Sequence, residues 1–265
     1  MSKVELQAAI KECLQLSADC SKGPHGPIAT CDVSAVTDMS QLFDQSILPN
    51  ANNFVGCLSN WDVSGVTNML RMFYRASSFN GDISRWNVYR VTNMQDMFAS
   101  ASLFDVDLSR WDLSRVTNMI GMFASASSFN GDISKWDVSR VTNMLGMFAS
   151  ASSFNGDISK WDVSRVTTMN IMFKEASSFK QTLCGAWLTS RADKYGMFHG
   201  SSGQICSMTT SSASTSATVT TLNSKITSMK APPLASTFAN SDLNRGQKSW
   251  IQYLFLYPKH SFIQL

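Results

Sequence analysis

The chain has few of the features that usually signal catalysis or metal chemistry. Its 265 residues contain three histidines, His25, His199 and His260, none of them in a recognisable motif. No GxSxG, GxGxxG, phosphate-loop or HExxH pattern occurs, so no nucleophile elbow, dinucleotide turn or zincin helix is expected. The six cysteines, Cys13, Cys20, Cys31, Cys57, Cys184 and Cys206, form no CxxC pair, which argues against a structural zinc site. No run of 18 apolar residues is present, so no spanning helix is expected. The N-terminal MSKVELQAAIKECLQLS lacks an uninterrupted apolar core and does not read as a signal peptide, and no N-x-[ST] sequon follows it.

Charge is also scarce, at 15% of residues, and unevenly spread. Residues 1–60 hold 3 Lys/Arg against 6 Asp/Glu, residues 61–185 hold 12 against 11, and residues 186–265 hold 7 against 2. Only the tail is basic, and its cations are scattered. No continuous basic stripe of the kind a nucleic-acid binder uses is present, so nucleic acid is not an expected partner.

What the chain has in abundance is large apolar residues on a fixed period. Fifteen Met, 7 Trp and 16 Phe recur mostly every 25 residues between 61 and 185. Aligned on tryptophan, the units start at Trp61, Trp86, Trp111, Trp136 and Trp161, the fourth reading WDVSRVTNMLGMFASASSFNGDISK. A degenerate copy starts at Cys31, and a last partial step lands on Trp187. Such self-similarity limits the fold more tightly than average composition does.

Inside a unit, Met144, Met147, Phe148 and Ala151 fall at i, i+3, i+4 and i+7, which predicts a two-turn helix with Asn143 as its N-cap. Val138 and Val141 before it, and Asp157-Ile158-Ser159 after the Asn155-Gly156 turn, suggest short extended pieces. The fold class expected is a leucine-rich-repeat-like repeat solenoid of short parallel β-strands plus short helical turns. Its core columns would be Trp61, Trp86, Trp111, Trp136 and Trp161; Met72, Met97, Met122, Met147 and Met172; and Phe73, Phe98, Phe123, Phe148 and Phe173. Four segments follow: a capping helix and linker over 1–30, with Val4, Leu6, Ala9, Ile10, Cys13 and Leu16 at helical spacing; a right-handed six-coil solenoid over 31–185; a closing cap over 186–205; and a disordered Ser/Thr-rich tail with a short apolar end over 206–265. The cysteines lie in or near the caps. They read either as disulfides stapling them or as reduced thiols packed in the core.

The exposed columns are the candidate binding surface. Arg85, Arg110, Lys135 and Lys160 form one basic column, and Arg90, Arg115, Arg140 and Arg165 form another. Asp62, Asp112, Asp137 and Asp162 lie between them in sequence, with Asn87 in the same place in the second unit. The plain reading is a solvated lattice of alternating charge; the functional reading is a site for a sulfated glycan or another acidic polymer. Asp82, Asp107, Asp132 and Asp157 read as turn residues bonded to nearby backbone N–H, with calcium between coils as the alternative. The threonines Thr67, Thr92, Thr117, Thr142 and Thr167 read as a buried ladder or as a water-ordering array.

The motifs WDVSRVTNM, GMF, ASSFNGDIS and QTLCGAW resemble the DUF285 family of BspA-like, leucine-rich-repeat-like surface proteins over residues 28–205. The resemblance implies a cell-surface or secreted, non-catalytic scaffold that mediates adhesion through a protein or glycan partner, without cofactor or metal. A purely structural spacer or coat protein is the alternative. A binding module should depart from its own pattern where it meets a partner, as Asn87-Val88-Tyr89 and Leu103-Phe104-Asp105-Val106-Asp107 do.

Overall fold

The computed structural model describes residues 1–23 and 25–207. The chain divides into two units, Met1–Thr210 and Ser211–Leu265. The expected tail, apart from its first two residues, lies outside the described residues.

Among the described residues, regular secondary structure is sparse and confined to the two ends. Helix α1 (Lys3–Leu16) opens the chain, and strand β1 (Thr182–Leu183), helix α2 (Ala186–Thr189) and strand β2 (Gln204–Ile205) close the described part. Two short 3₁₀ turns, Ile28–Thr30 and Pro49–Asn53, lie near the start. Ser2 caps α1 through a reciprocal box: its Oγ accepts from Glu5 N–H, and its own N–H donates to Glu5 Oε2. The helix buries Leu6, Ala9, Ile10, Cys13 and Leu14, and Lys3 Nζ binds Asp38 at 2.7 Å. Val4 and Leu16, expected on the buried face, are exposed at 74% and 62%, while Leu14 is inside. Strands β1 and β2 pair in parallel, Thr182 with Gln204 and Leu183 with Ile205.

The expectation of a leucine-rich-repeat-like solenoid is overturned between these ends. Residues 54–181 contain no α-helix and no strand of two residues or more; the chain runs through turns joined by isolated parallel bridges, Asn68 to Asn93, Asn93 to Asn118 and Asn118 to Asn143 among them. The helix expected over Met144–Ala151 is absent for a definite reason. An α-helix needs every amide to donate four residues back. Here the amides alternate. Those of Met144, Gly146, Phe148 and Ser150 donate to carbonyls of the next turn of chain, at Thr168, Asn170, Met172 and Lys174, while those of Met147, Ala149 and Ala151 close three-residue turns. Gly146 and Ser150 take φ near +60°, outside helical space. Asn143 caps no helix: its Oδ1 accepts from Leu145 N–H at 3.0 Å.

The side-chain pattern is nevertheless buried. The Trp, Met and Phe columns named above are all at most 4% exposed. The column tryptophans donate Nε1–H to a carbonyl of the preceding turn of chain: Trp86 to Leu58, Trp111 to Ile83, Trp136 to Leu108 and Trp161 to Ile133, at 2.9–3.1 Å. Two phenylalanine columns run beside them. Phe98, Phe123, Phe148 and Phe173 stack with centroids 5.6–5.7 Å apart, and each pairs with a second ring, as Phe123 does with Phe129 at 3.8 Å.

Four cysteines are paired, Cys13 with Cys20 and Cys184 with Cys206, and Cys31 and Cys57 are free thiols. The reading of all six as reduced thiols is therefore corrected. The first pair joins the end of α1 to the following turn, and the second ties the β1 end to the β2 end.

Candidate functional site

The candidate site grows out of the turn that follows each tryptophan. Trp86, Val88 and Val91 point inward and are buried, so Arg85, Asn87, Tyr89 and Arg90 are left on the outside. The tight turn between Val88 and Val91, closed by Val91 N–H to Val88 C=O at 2.9 Å, fixes that alternation. All eight residues of the two basic columns, and Asp112, Asp137 and Asp162, are exposed.

The aspartates between the basic columns are not ion-pair partners. Asp62, Asp112, Asp137 and Asp162 each accept the N–H of the serine two residues on, at 3.0 Å, and so close turns. Asp82, Asp107, Asp132 and Asp157 make the same bond, at 2.8–2.9 Å. At Asp62, Asp82, Asp132, Asp137, Asp157 and Asp162 the serine holds the carboxyl group below its ordinary range. The serine hydroxyl contributes most at Asp62, Asp82, Asp137 and Asp162, and the serine N–H most at Asp132 and Asp157. Among the described residues, the ion pairs are Lys3–Asp38 and Arg71–Asp44, with His199 Nε2 lying 3.9 Å from Glu175 Oε1, and none of these contacts involves the two basic columns. The expected alternating lattice is thus a set of exposed cations beside carboxylates already engaged in turns.

The threonine column is exposed, not buried. Thr92 Oγ1 donates to Thr67 C=O at 3.2 Å, and Thr117, Thr142 and Thr167 continue the series, each hydroxyl reinforcing a backbone bond to the same carbonyl. Among the described residues, no group of three or more His, Cys, Asp and Glu side chains is placed to hold a metal ion.

Two departures from the regularity place charged side chains in new surroundings. One is an open depression of about 540 Å³ lined by Ser84, Arg85, Trp86, Asn87, Val88, Arg110 and Asp112. It lies where Asn87 replaces the aspartate of the column. Asn87 keeps the turn, its Oδ1 accepting from Tyr89 N–H at 3.3 Å. Tyr89, which stands where other units have serine, is 42% exposed and lies under the Arg115 guanidinium, 4.4 Å from the ring centre. Here Arg85 and Arg110 come together at one surface feature with Asp112, while Lys135, Lys160, Arg140 and Arg165 lie along the rest of the strip.

The second break was not anticipated. Asp44, wholly buried, accepts from the Ser46 amide and hydroxyl through Oδ1, and its Oδ2 lies 3.2 Å from Arg71 Nε. The Arg71 guanidinium also covers Tyr74 at 3.8 Å, and burial pushes the Tyr74 hydroxyl up. Arg71 and Asp96 occupy a left-handed position, φ +55° and +54°, that Gly121, Gly146 and Gly196 fill elsewhere. That substitution of charge for glycine in one column was the available signal.

These features define a turn-built, disulfide-closed protein with a polar, cation-rich outer strip. The chain matches the model of a family described as "Mycoplasma protein of unknown function, DUF285" over residues 11–119 and again over 104–211, and it belongs to that family. No curated protein and no solved structure matches it. The BspA-like, leucine-rich-repeat-like part of the resemblance is overturned, because among the described residues helices and strands occur only near the two ends and do not recur between them. The surface-adhesion reading drew on that architecture and falls with it. Among the described residues, no helix is long and apolar enough to cross a membrane.

Proposed function

We propose that the chain is a non-catalytic interaction module that engages a protein or glycan partner through its cation-rich strip. The observation that carries this reading is that the exposed Arg85 and Arg90 columns form no ion pair among the described residues, while the intervening aspartates are engaged in turns. Unpaired cations on a rigid backbone lose little conformational entropy of the chain when an anionic partner docks. The two disulfides favour an oxidising compartment as the setting.

The test is a binding screen of the intact chain against glycans and extracellular proteins. It is run beside a variant in which Arg85, Arg90, Arg110 and Arg115 are all replaced by serine. The module reading expects at least one binder that the variant loses while its melting temperature is unchanged. A screen without binders, or one whose binders ignore the charge change, would leave the structural spacer or coat protein as the account.

A further inference from the structure

We infer that the depression between Ser84 and Asp112 binds an anionic saccharide, a sulfated or carboxylated sugar whose acid group is held by Arg85 and Arg110. This inference rests on the interaction-module reading and adds to it a site and a ligand class.

The argument starts from what Asn87 changes. Aspartate at this place closes the turn in four other units, so local structure did not require the charge to go. With asparagine the turn survives and the strip from Arg85 to Arg90 carries two cations and no carboxylate, whereas Arg110 to Arg115 carries two and one. Because Oδ1 accepts the Tyr89 N–H, Nδ2 is left as a donor. The preceding unit has Asn60 and Gly65 where Arg85 and Arg90 stand, which keeps long side chains away from that side.

The lining then selects the ligand chemistry. Two guanidiniums suit a sulfate or carboxylate, which they can hold with paired donors. Asp112 in the same depression repels a ligand that is anionic throughout but accepts hydroxyl donors. Ser84 and Asn87 add a hydroxyl and an amide. A sugar bearing one acid group and several hydroxyls satisfies the whole set, and about 540 Å³ is room for one or two such rings. An acidic peptide would use the basic columns along their length and gain nothing special from Asn87.

The experiment uses the full chain and three fluorescent probes: a sulfated hexasaccharide, its desulfated counterpart and a poly-glutamate peptide. The site predicts that the sulfated probe binds at least tenfold more tightly than either of the others. Asn87→Asp, which restores the residue of the neighbouring units and so preserves folding, should weaken it at least tenfold. The Arg85→Ala/Arg110→Ala pair should weaken it further, while Lys22→Ala/Lys180→Ala, two exposed cations outside the basic columns, should change it less than twofold. Binding insensitive to Asn87→Asp, or tightest for poly-glutamate, overturns the saccharide site and leaves the module reading standing. If the screen described above yields partners and the sulfated probe does not bind, only the present inference fails. If the screen yields none, the module reading fails first.

Discussion

A single indole illustrates how each residue is fixed in this molecule. Trp136 is 3% exposed, and its Nε1–H reaches Leu108 C=O at 2.9 Å, so the side chain both fills the core and satisfies a carbonyl of the preceding turn of chain. Trp136→Ala should cost about 3–5 kcal/mol in urea denaturation, and Trp136→Phe about 1–3 kcal/mol, because it removes the indole donor and part of the buried ring and leaves Leu108 C=O with the Trp111 N–H alone. Arg140→Ala, on the exposed strip, should cost less than about 0.5 kcal/mol. Equal losses at Trp136 and Arg140 would mean that inside and outside have been exchanged. The Asp44–Arg71 pair behaves differently, because its members are unequally buried. Asp44 has no route to water, while the Arg71 side chain is 22% exposed. Arg71→Leu therefore strands a buried carboxylate and should cost about 3 kcal/mol or more; the double change with Asp44→Asn should recover part of that loss. The positions of the tryptophans were legible from their spacing. The Arg71 role was not, since a helical reading of residues 69–76 gives no reason for a cation to meet a residue 27 positions earlier.

At the scale of the element, the same apolar spacing was satisfied by a backbone other than the one it suggests. Positions i, i+3, i+4 and i+7 share a face in an α-helix, but turns whose alternate amides bond to the next turn of chain also put Met144, Met147, Phe148 and Ala151 on one side. Periodicity reports which side chains are inside, and it does not report where the amides point. Gly146 separates the two backbones by the sign of one measurement. In a helix, Gly146→Ala would stabilise by about 0.5–1 kcal/mol. At φ +60° it should destabilise by about 1–2 kcal/mol, although a Cβ there would meet no atom closer than 3.7 Å. The turn aspartates give these elements a pH dependence. The carboxyl groups of Asp62, Asp82, Asp132, Asp137, Asp157 and Asp162 titrate lower in the folded chain than in the unfolded one, so the folded state binds fewer protons in acid. The stabilisation is present above the unfolded value of about 3.8 and is lost as pH falls through the lowered folded values. The melting temperature should be flat from pH 7 to about 5 and fall below about 4. Replacing Asp132, Asp137 and Asp162 together by asparagine should flatten that fall, and an unchanged acid limb would show that the turns do not supply it.

For the Met1–Thr210 unit, the 25-residue register matters more than any one contact. Nearly every lateral bond between residues 67 and 179 joins residues close to one period apart: the Thr hydroxyls and the Ser77, Ser102, Ser127 and Ser152 hydroxyls at 25, the tryptophans at 28. The period itself was plain in the sequence. What it could not convey was the ends, because α1, the β1–β2 pair and the disulfides lie where the pattern fades. If stability is mainly a sum of contacts between adjacent turns of chain, the register can be shortened by a whole period without harm. Deleting residues 136–160 joins Lys135 to Trp161, which places the Trp161 indole against Leu108 C=O, Phe173 on Phe123 and Phe179 on Phe129. Every lateral bond then has a chemically equivalent partner. The shortened chain should unfold cooperatively, with the melting temperature lowered by roughly 2–8 °C for a net loss of about 1–2 kcal/mol. Deleting residues 136–148 removes fewer residues but breaks the register, sending buried positions to the outside, and should abolish the transition. If the 25-residue deletion also fails to fold while the intact chain melts normally, the stability must come from contacts that reach beyond neighbouring turns, and the additive account of this unit is wrong.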